Sequence, residues 1–128
     1  MMRLFRTVGL GLACLSFAPA QAHHSFSASY MIDEQTEIHG TVVQFLFRNP
    51  HSFLHVMAPD KQGVMQRWAV EWRAGGVLAG DDITPDLLKP GDVVSITGNP
   101  GRNQADHRMR LNSIERLSDH WKWKAAFE

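Results

Sequence analysis

Apolar residues along this chain gather in short runs of β type, separated by turn chemistry. Thr36 to Phe47 predicts a long first strand rich in Ile, Val and Phe, with Gly40 marking a bulge or sharp bend. Arg48-Asn49-Pro50-His51 breaks it, because Asn-Pro favours a turn. Ser52 to Ala58 predicts a second strand, and Pro59 to Gly63 a hairpin connection. Val64 to Arg73 predicts a third, with Trp68, Val70 and Trp72 on one side and Arg67, Ala69 and Glu71 on the other.

The pattern changes between Gly75 and Leu88, where β alternation is lost. Thr84-Pro85-Asp86 predicts a helix start, with Pro at the first helical position. Lys89 to Asp92 is turn chemistry feeding a fourth strand, Val93 to Gly98. A loop from Asn99 to Asp106 leads to a fifth strand, His107 to Leu117.

Three strands, a short helical link and two more strands give an all-β fold in the order of a five-stranded OB-like β-barrel. In that fold the loops after the first and fourth strands flank the usual ligand face. A small β-sandwich fits the same string and stays open. The domain occupies residues 36–118, preceded by an extended segment, 23–35, and followed by a Trp-rich tail, 119–128. The tail, with Trp121, Lys122, Trp123 and Lys124, reads equally as a docking surface for a partner or membrane, or as a helix whose rings cover an open end of the barrel.

The start of the chain has a separate logic. Arg3 and Arg6 precede an apolar run, Thr7 to Ala18, and Ala20-Gln21-Ala22 supplies a small-x-small end. These are the parts of a cleavable secretory signal peptide over residues 1–22, cut before His23. At about a dozen residues the run is short of the roughly 20 needed to span a bilayer. Lipidation at Cys14 would halve the apolar core and fits less well. The expected location is the periplasm or beyond.

Processing would remove Arg3, Arg6 and the only cysteine. The whole chain has 13 basic and 13 acidic side chains, so the mature part is slightly acidic. Such a chain lacks the basic footprint of a nucleic-acid binder. Without cysteine it has no disulfide framework, and its stability must come from a core. Nothing after the signal predicts a transmembrane segment.

Several motifs carry a likeness to a known family. His23-His24-Ser25-Phe26, Asn49-Pro50-His51-Ser52, Trp68-Ala69-Val70-Glu71 and Leu88-Lys89-Pro90-Gly91-Asp92 occur in order. Together they resemble the exported bacterial proteins grouped as domain of unknown function 6152. The resemblance implies export, a compact β domain and attention to His23, His24 and His51. It carries over no catalytic residue. The chain departs from the pattern in the Gly-rich, acidic stretch from Arg73 to Ile83.

Cleavage before His23 would expose an α-amine and an imidazole on one residue. The amine's ordinary pKa, near 8, lets a metal displace its proton. With a second imidazole they make a T-shaped nitrogen set, which suits Cu(II). His51 is the expected partner, with His24, His55 and His107 as further candidates. A small organic, peptide or glycan ligand of the envelope is the alternative partner, held around Arg48, Asn49 and Arg102. The structural alternative leaves His23 as a polar terminus and His51 as a residue that pins its turn.

Zinc has weaker support, because no compact Cys/His spacing is visible. Asp81, Asp82 and Asp86 lack a calcium loop's alternation. Trp68, Val70 and Trp72 read as core, and Glu71 with Arg67 as an ion pair on the other face. Ser25 and Ser52 neighbour histidines without an oxyanion motif, so an enzyme is not expected.

Overall fold

The computed structural model describes residues 26–126. The signal segment, Cys14, His23, His24 and Ser25 lie outside the described residues. Within them a short helix, α1 (Phe26–Ser29), precedes β1 (Thr36–Leu46), β2 (Phe53–Pro59) and β3 (Met65–Glu71). Helix α2 (Gly75–Gly80) follows, then β4 (Val93–Pro100), a single 3-10 turn (Gln104–Asp106), β5 (Arg108–Arg116) and β6 (Trp121–Lys124).

The sheet order is β3-β2-β1-β4-β5-β6, and β3 also pairs with β5. That last pairing is parallel, Ala69 to Glu71 against Arg108 to Arg110, and it closes β1 to β5 into a barrel. All other pairings are antiparallel, with Val42 opposite Val56, Leu54 opposite Val70 and Ile96 opposite Ile114. The expected five-stranded barrel of OB order is therefore present, in place of the alternative small β-sandwich.

Period-two alternation builds the core. Leu54, Val56, Val70, Val94, Ile96 and Met109 are wholly buried, and Trp68 and Trp72 lie beside them. Each such side chain contributes about 1.5–3 kcal/mol of transfer free energy. Gly40 occurs where β1 and β2 cross so closely that a Cβ would collide with the Met57 carbonyl. The bulge itself falls just after it, between Val42 and Gln44. Gly98 has the same role against the Arg110 carbonyl, beside a second bulge between Thr97 and Gly98.

Two expectations need correction. The helix in the link is Gly75–Gly80, not a helix starting at Thr84-Pro85-Asp86. Thr84 instead starts a turn, its carbonyl accepting from Leu87 N at 3.1 Å. Local propensity lost to packing: Leu78, Ile83 and Leu88 are buried in the core, and Gly75 comes so close to the Phe47 ring that a Cβ would stand 3.0 Å from it.

The second concerns the tail. Trp121 to Lys124 form a sixth strand, paired with β5 from Ser113 to Arg116, beyond the point where β3 leaves it. Trp123 meets Trp72 edge-on, with centroids 5.0 Å apart, and the Arg73 guanidinium lies over the Trp123 ring. The rings seal the barrel wall. Among the described residues, no helix is long and apolar enough to cross a membrane.

Candidate functional site

Three segments meet at one end of the barrel: the β1–β2 loop, the end of β3, and the stretch from α1 to Tyr30. The loop is fixed by its own backbone. Arg48 N donates to Ser52 Oγ and Ser52 Oγ to Arg48 O, both at 3.2 Å. Ser52 N donates to Arg73 O at 3.0 Å, and Trp72 N to Ser52 O at 2.8 Å, which extends the β2–β3 pairing past the strand ends. The Asn49–Pro50 peptide is cis. Asn49 Oδ1 accepts from Gly76 N at 3.2 Å, which ties the loop to the first turn of α2. Arg48 bonds the His51 carbonyl at 3.4 Å and lies over Phe53.

His51 therefore stands on a rigid turn, and its Nδ1 bonds to Glu71 Oε1. Glu71 is 6 % exposed, although alternation puts it on the face opposite the tryptophans. The other oxygen, Oε2, accepts from the Tyr30 hydroxyl and from Arg108 at 3.2 Å. A carboxylate only accepts, so the ring form of His51 that bonds Glu71 in this geometry is the one with its proton on Nδ1. In the neutral ring that leaves Nε2 as the lone-pair nitrogen. Nε2 has no partner among the described residues, and the His51 side chain is 41 % exposed.

Tyr30 is 1 % exposed. Burial, and next the Glu71 carboxylate, hold its phenol well above the usual range, against the opposing pull of Arg108. The segment carrying it crosses the face between the two flanking loops. Tyr30 bridges to Gly101, Met31 N donates to Pro100 O at 2.9 Å, and Arg102 N donates to Ser29 O at 3.0 Å. At its far end the Phe26 ring stacks on His51, with centroids 5.9 Å apart. The face on which an OB barrel usually takes its ligand is thus spanned by this chain's own N-terminal segment.

The remaining candidates take other places. His55 is on β2, its Nδ1 buried with no hydrogen-bond partner among the described residues. Burial, then Arg67 and Arg48, push its pKa down. His107 has left-handed backbone, with its ring edge-on to Trp68 at 5.4 Å and its Nε2 3.9 Å from Asp60. Arg102 directs Nε to the Ser27 carbonyl at 2.7 Å. With Ser29, Tyr30, Asn103, Asp106 and Arg108 it borders a cavity of about 230 Å³. Among the described residues, no group of three or more His, Cys, Asp or Glu is arranged to hold a metal.

Glu71 does not pair with Arg67, which reaches Gln44 at 3.4 Å instead. The sequence reading missed Tyr30, Arg108 and the burial of Glu71. Local alternation gave no signal for Glu71, since it places this residue on the side away from Trp68, Val70 and Trp72. The fold and this end of it define a small closed β-barrel with a carboxylate-held histidine at its rim. The model of a family of unknown function, DUF6152, matches residues 11–110, and the chain belongs to that family. No curated protein matches it.

Proposed function

We propose that the chain is exported, cut after Ala22, and binds a transition metal, copper above others, through His23 and His51. It holds or passes on the ion and does not catalyse a reaction. The observation that carries this reading is the bond from His51 Nδ1 to Glu71. Metal-binding histidines characteristically give their second ring nitrogen to a carboxylate, which fixes the tautomer and orients the ligand nitrogen. Here the carboxylate is itself held by Tyr30 and Arg108.

Reach supports the same reading. Phe26 lies against His51, and His23 is three positions earlier. Three residues span at most about 11 Å, so a processed terminus has His51 within its range. The free amine, the His23 ring and His51 Nε2 then supply three nitrogens, the donor set Cu(II) favours. His24, His55 and His107 are secondary candidates, and His55 and His107 each have different surroundings from His51.

The test is a Cu(II) titration of protein whose first residue is His23, beside protein retaining Ala22. Tight binding by the first and a strong loss in the second supports the reading. Equal affinity removes the amine, and no binding removes the site.

A second reading, an OB-type module for a small organic, peptide or glycan ligand, draws on the cavity beside Tyr30 and Arg102. It predicts ligand binding that is lost in Arg102→Ala and indifferent to how the terminus is processed.

A further inference from the structure

We propose that the outer face of β2, β3 and β5 binds a small ligand with two or more oxyanion groups, held by Arg48, Arg67 and Arg108. The inference stands apart from the metal reading, since it needs neither an ion nor any residue before Phe26. Alternation turns Phe53 and His55 of β2, Arg67 and Ala69 of β3, and Arg108 of β5 away from the core. Across the strands His55 is opposite Ala69, and Ala69 opposite Arg108. A single methyl group is all that stands between the imidazole and the guanidinium.

The cations of this face are gathered without acids to match. Elsewhere Arg73 pairs with Asp81, Arg116 with Asp92 and Asp119, and Lys122 with Glu115. Arg48 and Arg67 have no carboxylate partner among the described residues, and bond a carbonyl and Gln44 instead. Arg108 shares the buried Glu71 with His51 and Tyr30. The whole chain has 13 acidic side chains to 13 basic ones, so the shortage of acid is local. A surface lined by one sign of charge concentrates ligands of the opposite sign.

The guanidiniums are also oriented. Arg48 and Arg108 lie over the Phe53 ring, 5.3 and 5.7 Å from its centroid, and so within 11 Å of each other. One nitrogen of each fork is engaged: Arg48 Nε by the His51 carbonyl, Arg67 Nη2 by Gln44, Arg108 Nη2 by Tyr30 and Glu71. These contacts fix the planar forks and leave further N–H donors for bidentate bonds to an oxyanion. Donors set in place by folding cost little to order on binding. Arg67 is two residues from Ala69 along β3, about 7 Å by strand rise, so the charges suit linked anionic groups better than a single one. His55 records the field of the face: burial, then Arg67 and Arg48, lower its pKa. Its Nδ1 has no hydrogen-bond partner among the described residues.

The experiment is a calorimetric titration of the processed chain, with no metal added, by pyrophosphate and separately by citrate. Both probes carry linked oxyanions, and the pair tells a phosphate ligand from a carboxylate one. Wild type should bind at least one of them, and more weakly as salt is raised. Arg48→Gln and Arg67→Gln, both at exposed positions, should each weaken that binding on the order of tenfold, while thermal unfolding moves little. Lys122→Gln removes the same charge from β6 and should leave the affinity unchanged. By NMR, the His55 ring should titrate at a higher pH with the anion bound than without it. Binding of neither probe overturns the proposal. So does an equal loss in Lys122→Gln, which would mean attraction by overall charge alone, or an unmoved His55, which would put the anion elsewhere. None of these results bears on copper at His51, and failure of copper to bind would leave this site standing.

Discussion

Tyr30 donates its hydroxyl to Glu71, a residue 41 positions later that closes β3. The bond ties the segment before the first strand to the carboxylate that orients His51, so the rim of the barrel is assembled from both ends of its first half. Tyr30→Phe keeps the ring and removes the donor. Glu71 retains Arg108 and His51, so the expected loss is about 1–2 kcal/mol in denaturant unfolding. An unchanged midpoint would mean that the hydroxyl contributes nothing to the fold.

Tyr30 is also the only tyrosine, which gives a direct optical readout. Its phenol is held above its ordinary value by burial and then by Glu71. In the folded protein the phenolate absorbance should therefore not rise through the usual range near pH 10. The unfolded chain releases this proton more readily than the folded one. The stabilisation is complete below about pH 10 and is lost as pH climbs above it. A midpoint near 10 in folded protein would contradict the bond to Glu71.

His55 gives the acid counterpart. Burial, Arg67 and Arg48 lower its pKa from 6.5, so the unfolded chain binds the proton first as pH falls. Stability should decline below about pH 6.5 by this group's contribution, and its ring protons should titrate at a lower pH by NMR. A midpoint at or above 6.5 would sink the claim.

Two glycines test the barrel geometry. Gly40→Ala should cost about 2 kcal/mol or more, because the Met57 carbonyl occupies the space a Cβ needs. Gly80→Ala, at the end of α2 with nothing near the added methyl, should be neutral or stabilise by up to about 1 kcal/mol. Similar losses in both would show that the close approach at Gly40 is not what selects glycine there.

The strands were legible because burial alternates along them, as in Phe53 to Ala58, where every second residue is wholly buried. The register shift in β1 was signalled by Gly40, two residues early. The helix at Gly75–Gly80 was not legible, since its N-cap residue, Ala74, has no capping side chain and the helix is held by Leu78 in the core and by the distant Arg48 carbonyl on Gly75 N. Of the rim, His51 stood out as a histidine on a turn. Its carboxylate did not, because period two assigns Glu71 to the polar face. Only the crossing of that face by residues 26–35, carrying Tyr30, makes the position an interior one. That crossing rests on backbone bonds and on the Asn99 side chain, none of which leaves a trace in local patterning.

The central claim is that His51 Nε2 and the freed His23 bind one ion together. The most direct measurement is the Cu(II) electron paramagnetic resonance spectrum of protein beginning at His23, recorded for wild type and His51→Ala. The account predicts an axial, nitrogen-rich spectrum in wild type, with the coupling of one imidazole nitrogen missing in His51→Ala. Identical spectra in the two proteins would contradict it.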